Sequence, residues 1–312
     1  MTAAKGRRTR RRGLWPLYLM MAPGLLYLLI NNVLPLFGLT MAFKDINFSQ
    51  GLLQGVIQGD WAGLKHFRYL FQTKDAWIIT RNTICYNLAF ILINTAAGFF
   101  LALQLTKIRS RFLTGLFQGI LLFPNFISWV VVSYLVLAFL NVSTGFLNSA
   151  VLPALGLAPA AWYSEPKFWP FILTVVNLWK GAGLQCVIYY AAMIAIDPVV
   201  YEAAALDGAR PARQTLQITL PLVAPMVVMM VLMSVGKIMY SDFGLFYQVP
   251  LDSGILYNAT GTIDTYVYRT LTKVGNVSMS AAAGAYQSVV GFVLVLVSNF
   301  TVRRLSPDNA VF

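Results

Sequence analysis

Charge is scarce in this sequence, and so are the side chains that do chemistry. Only 11% of its 312 residues are charged, against about 25% in ordinary soluble domains, which excludes a large water-exposed fold. Its 11 acidic residues fall in loops or at the ends of apolar runs. An ion-driven carrier with carboxylates inside its spans is therefore disfavoured. One histidine and two cysteines, Cys85 and Cys186, offer neither metal spacing nor a disulfide framework. His66 stands alone in a polar loop and is expected to be a solvated surface residue. GxSxG and HExxH are both absent, which argues against a membrane enzyme. GxxxxGK[ST] is absent as well, so no phosphate loop holds ATP on this chain. No catalytic residue, metal or bound cofactor is expected.

What the sequence has in abundance is apolar surface, at 58% of residues. A membrane helix needs roughly 20 such residues in succession. Six candidate spans follow, at about 14–41, 82–106, 112–140, 168–195, 222–241 and 281–302. The expected fold is an all-α integral membrane protein of six helices, with a basic tail over 1–13 and a transmembrane domain over 14–312. The first run is too long and lacks the cleavage site of a secretory signal, so it reads as an uncleaved anchor. Half of the net charge of +12 comes from Lys5, Arg7, Arg8, Arg10, Arg11 and Arg12. A basic run directly before an apolar helix is a topology signal rather than a nucleic-acid groove. Lys107, Arg109 and Arg111, then Arg210 and Arg213, then Arg303 and Arg304 fall on the same side as that tail. Both termini are therefore expected in the cytoplasm of a bacterial inner membrane. Residues 44–81, 141–167 and 242–280 take the opposite side; the last two boundaries of the third span and its loop are the least defined.

One polar block, 197–221, interrupts the apolar runs on the cytoplasmic side. Asp197-Pro198 predicts a helix start, Gly208 a bend, and Arg210-Pro211 a second start, before Leu220-Pro221 leads into the next span. Glu202-Ala203-Ala204, then Gly208, then Ile218-Thr219-Leu220-Pro221 after nine more residues resembles the cytoplasmic loop of permease subunits of binding-protein-dependent ABC importers. Trp61, Gly63, Leu64, Phe67, Tyr69, Leu70 and Asn82-Thr83 resemble the external segment of the MalF/LplB-type carbohydrate permeases. The last third, from SDFGLFYQVPLDSG to the terminal NAVF, resembles the branch that imports oligosaccharides and polysaccharide fragments, with members for acidic chains such as alginate looking nearest.

The resemblance implies a type I importer permease fold with coupling helices between spans 4 and 5. It implies coupling through Glu202, Ala203, Ala204, Asp207, Gly208, Ile218, Leu220 and Pro221, with ATP and Mg held on a partner ATPase dimer. It also implies a second permease, usually a different chain, and an extracytoplasmic solute-binding protein. Leu216, Ile218 and Leu220 are expected to tie the second coupling helix back to the bundle.

For the sugar path the polar residues inside spans are the candidates, since they generally face a cavity or another helix. Thr114, Gln118, Asn125 and Trp129 have the spacing of one helical face, with Pro124 as a bend; Asn87 and Asn94 share another. Tyr240, Tyr286 and Gln287 add aromatic and amide groups. Lys180 and Lys237 are charges inside spans, and an anionic sugar would account for them. The plain alternatives are helix-bridging amides, and for Lys237 either a pair with Asp242 or a position at the membrane interface. A secondary solute transporter and a neutral oligosaccharide stay open as alternative readings.

Overall fold

The computed structural model describes residues 15–46 and 52–305. The basic tail and the terminal NAVF lie outside them. A continuous helical rod, Trp15–Phe43, starts as α1, Trp15–Leu28, and changes winding to a π-turn, Leu29–Val33, and a 3-10 stretch, Leu34–Phe43. Pro35 lacks the N–H that would bond to Asn31, so the regular ladder cannot continue through it. A two-residue hairpin pairs β1, Lys44–Asp45, with β2, Asp60–Trp61, around α2, Leu52–Gln58. Then come α3, Lys65–Gln72, and α4, Lys74–Thr106.

At 33 residues, α4 is roughly 50 Å long and outreaches a hydrocarbon core of about 30 Å. It starts eight residues before the span expected at 82, with Lys74, Asp75 and Arg81 in its first turns, because nothing in them breaks a helix. The third apolar run departs further from expectation. It is two helices, α5 over Arg111–Phe126 and α6 over Trp129–Leu140, bent by 95°. Pro124 weakens the last turn of α5, Ile127 is extended, and Ser128 caps α6 by accepting from Val131 N. The bend expected at Pro124 is thus a break between two helices rather than a kink in one.

The low-charge stretch after α6 is folded around Asn148, which is 4% exposed. Its amide donates to the carbonyls of Asn141, Val142 and Ala160 and accepts from Ala160 N and Trp162 Nε1. A short α7, Leu152–Ala154, leads to α8, Trp169–Ile194. The rest comprises α9, Pro198–Leu206; α10, Pro211–Gln214; α11, Leu220–Val235; α12, Tyr257–Thr260; α13, Ile263–Thr272; and α14, Val277–Leu305. Five helices are long and apolar enough to span a membrane, or six with the bent pair as one.

In lipid the helices gain no hydrophobic advantage from touching, so close backbone approach does the work. A Cβ on Gly98 of α4 would sit 2.8 Å from Gln185 Cβ of α8, and one on Gly183 of α8 would sit 1.9 Å from Leu121 O of α5. Those two glycines bring α4, α8 and α5 together. Beside that seam, Tyr86, Phe90, Val132, Trp169, Leu173 and Phe246 form one buried cluster at the end opposite the 197–221 block. The isolated His66 is not solvated as expected. It is 8% exposed, and its Nε2 lies 3.0 Å from Asp45 Oδ1, because α3 folds back onto the hairpin.

Candidate functional site

The 197–221 block is a helical hairpin. Asp197 accepts from Val199 N at 3.0 Å and Pro198 takes the first helical position, as the sequence predicts. At the other end of α9, Ala209 N bonds Ala204 O at 2.9 Å and Gly208 N bonds Ala205 O at 3.0 Å. This pair of bonds is the Schellman stop, and it needs Gly208 at φ +77°. Glu202, Ala203, Leu206 and Asp207 face outward, while Ala204 is half-buried.

The second arm does not end before the span. Residues 211–235 run as one helix, Pro211–Val235, through a π-turn, Thr215–Thr219. The tie seen runs to the first arm and uses polar residues, not the apolar three expected to reach the bundle. Leu216 is 65% exposed and Leu220 39%, because the π-turn rotates them outward; Ile218 is half-buried and Pro221 exposed. Instead, buried Thr219 meets Tyr201 OH at 2.9 Å, and Gln214 Nε2 donates to Ala209 O at 3.0 Å.

Most of the polar residues predicted for a sugar path are occupied within the chain. Lys180 Nζ donates to the carbonyls of Pro124, Asn125 and Ile127, at 3.1, 2.8 and 2.5 Å. It thereby caps the open C-terminal end of α5, where a cation is favoured. Asn125 Nδ2 points back to Lys180 O at 3.5 Å. Asn87 donates to Ile238 O and Tyr240 O, beyond the end of α11. Asn94 donates to Asn177 Oδ1 at 2.7 Å. Tyr286 OH meets Thr80 Oγ1 at 3.0 Å, and buried Gln287 donates to Met239 O and Asp264 Oδ1. Thr114 Oγ1 bonds Ser110 O within α5.

Trp129 lies beyond the 95° break and so does not share a face with Gln118 and Asn125. Its Nε1 donates to Asp242 Oδ2 at 3.0 Å, and its ring lies 5.0 Å from Lys180 Nζ. Asp242 also accepts from Gly244 N and Leu245 N. Asp242 is thus engaged by Trp129, not by Lys237. The groups left open are Gln118, Lys237 and Tyr240, which make no side-chain hydrogen bond among the described residues; Lys237 and Tyr240 are exposed. Sequence reasoning missed Asp264, which accepts from Ser241 N and Oγ and from Gln287. It lies just inside α13, and the only local signal was the Thr262–Thr265 capping box.

This hairpin fused to a spanning helix is matched by a known family. The family of binding-protein-dependent transport system inner membrane components matches residues 94–307. The chain belongs to it. Among curated relatives, this permease is similar to the polygalacturonan/rhamnogalacturonan transport system permease protein YteP of Bacillus subtilis, 33% identical over 299 residues, covering 94% of this chain and 89% of the relative. Protein LplB of the same organism is 31% identical over 313 residues, covering 99% and 96%. The fold is similar to a chain of a bacterial ABC transporter involved in the import of the acidic polysaccharide alginate, with TM-score 0.84, 30% identity, and coverage of 95% and 97%. The alginate transporter in complex with alginate pentasaccharide-bound periplasmic protein gives TM-score 0.83 at 30% identity, covering 96% and 99%. The permease is therefore a multi-pass membrane protein of the type I importer fold and a subunit of a sugar or polysaccharide ABC importer.

Proposed function

We propose that this permease forms half of a translocation path for acidic oligosaccharides of the alginate or rhamnogalacturonan kind, and that it receives the energy of ATP through residues 197–221. A second permease completes the path, an ATPase dimer carries ATP and Mg, and an extracytoplasmic binding protein delivers the sugar. Both termini then lie in the cytoplasm, on the side of the 197–221 hairpin, in a bacterial inner membrane.

The observation that carries the coupling role is the hairpin itself. Its outward face carries the carboxylates of Glu202 and Asp207 beside Ala203 and the apolar Leu206, which suits a cleft with a basic residue, and its second arm continues into a span. For the substrate, support comes from the names of the relatives and from exposed Lys237, a cation without a partner among the described residues. Asp242, an exposed carboxylate a few residues away, favours the second reading, a neutral oligosaccharide. Uptake of acidic and neutral oligosaccharides by Lys237→Met separates the two. Selective loss of the acidic substrate is expected; equal loss, or none, removes the acidic reading. Copurification with an ATPase whose activity falls on Glu202→Ala tests the coupling role.

A further inference from the structure

A cleft of about 530 Å³ opens between α4 and α8 at the end opposite the 197–221 hairpin. Arg81, Asn82, Cys85 and Tyr86 line one wall, Lys167 the other, and Asn258 closes the top. None of its lining residues is acidic. Arg81 is held by one edge only: Nε and Nη2 donate to Asn82 Oδ1 at 3.2 and 2.9 Å, and Nη2 also to Asn258 O at 3.2 Å. Asn82 is itself fixed, 5% exposed and donating to Asn258 O and Gly261 O at 3.0 and 2.9 Å. The guanidinium is thus positioned in advance, with Nη1 unused and no carboxylate partner among the described residues. Lys167 does have one, Glu165 at 2.5 Å. That pair is exposed, and such pairs give way readily to a better-placed anion.

Two cations in a cleft without acids point to an anionic ligand. Below the cations the cleft is lined by Ala89 on α4 and Pro170 on α8, and α4 carries Leu88 and Leu92 outward, 45% and 70% exposed. A sugar has no use for such surface, whereas acyl chains do. Interfacial cations above exposed apolar groups suit a lipid with a charged head. We propose that this cleft binds the phosphate of an anionic phospholipid headgroup, with the acyl chains lying along the α4–α8 groove. The proposal rests on the spans alone, so it stands whatever the transported sugar.

The full-length permease, purified with its associated subunits, is reconstituted into phosphatidylcholine nanodiscs doped with phosphatidylglycerol. Retained lipid is measured by mass spectrometry, and maleimide labelling of exposed Cys85 is followed in parallel, Cys186 being buried. Phosphatidylglycerol is expected to be enriched about tenfold over phosphatidylcholine, the worth of one charge-assisted pair of bonds, and to slow labelling. Arg81→Gln should remove both effects. Glu165→Gln, which releases Lys167, should increase the enrichment, and Lys167→Gln should lower it; this surface pair decides the matter should Arg81→Gln fail to fold. Equal retention of both lipids, or unchanged labelling, overturns the proposal. So does protection of Cys85 by inorganic phosphate or by trigalacturonate in pure phosphatidylcholine where phosphatidylglycerol gives none, which would assign the cleft to a free anion or to an acidic sugar.

Discussion

The ammonium of Lys180 stands 5.0 Å from the ring of Trp129, across the break that divides the third apolar run. The same ring donates to Asp242, so one indole joins α8, α6 and the segment after α11. Lys180 is therefore part of how the broken span is held, and its three donors end on backbone carbonyls.

Replacing it should cost stability before it costs specificity. Lys180→Met removes the ammonium from three carbonyls, of which Pro124 O keeps a bond from Ile127 N, a loss of about 2–4 kcal/mol. Thermal unfolding of the detergent-solubilised complex should show it, with Lys180→Arg intermediate and with acidic and neutral uptake falling together. An unchanged melting temperature would contradict the capping role.

Gly244 sets the position of that same indole. A Cβ there would lie 2.0 Å from Trp129 Cδ1, so Gly244→Ala must push the ring off Asp242, at about 1–3 kcal/mol. Gly284→Ala meets nothing within 4 Å and should be silent. Uptake and melting temperature of the two variants, measured side by side, give the comparison; equal behaviour would show that the contact does not matter.

Gly208 is required for a different reason. Nothing lies within 4 Å of its absent Cβ, yet its φ is +77°. The requirement is conformational, so Asn, which tolerates this region, should do better than a β-branched residue. Uptake and sugar-stimulated ATPase activity should fall only mildly in Gly208→Asn and severely in Gly208→Val. Equal loss would mean that the missing side chain, rather than the bend, is what a partner recognises.

The hairpin at the opposite end carries a pH response. The Lys65 ammonium, 2.6 Å from Asp45, holds that carboxyl below its ordinary value of 3.8. A depressed carboxyl contributes stability at pH above its unfolded value and loses it as pH falls through the folded one. The contribution should thus be constant at neutral pH and disappear only below about pH 4. Hydrogen exchange of the hairpin amides against pH should show this, and Asp45→Asn should flatten the profile. A transition near neutrality would contradict this assignment.

How much of this was visible in the residues themselves differs from place to place. The 197–221 hairpin was legible because Asp197-Pro198, Gly208 and Arg210-Pro211 act locally, through caps and permitted dihedrals. The third run was legible as bent at Pro124 but not as broken by 95°, since Ser128 can cap a helix or sit quietly inside one, and the carbonyls before it are held by Lys180, more than fifty residues away. The residues expected to line a path were legible as polar groups in apolar helices. Their partners were not, because Asn87, Asn94, Gln287 and Lys180 each bond to a distant element, and spacing along one helix carries no information about its neighbour. His66 misled for the same reason: its solvent is displaced by a hairpin twenty residues earlier.

The helix Pro211–Val235 has 25 residues and so extends about 37 Å. A body of that length acts as a lever: tilting it by about 5° at one end moves the other by roughly 3 Å. Its compliance is concentrated, however, in the π-turn Thr215–Thr219 and at Pro221 and Pro225, where backbone bonds are missing. A small push on the hairpin would be absorbed there as flexure, and only a displacement large enough to exhaust it would reach the middle of the membrane. If the proposed coupling role holds, such a joint passes large displacements of the hairpin and absorbs small ones.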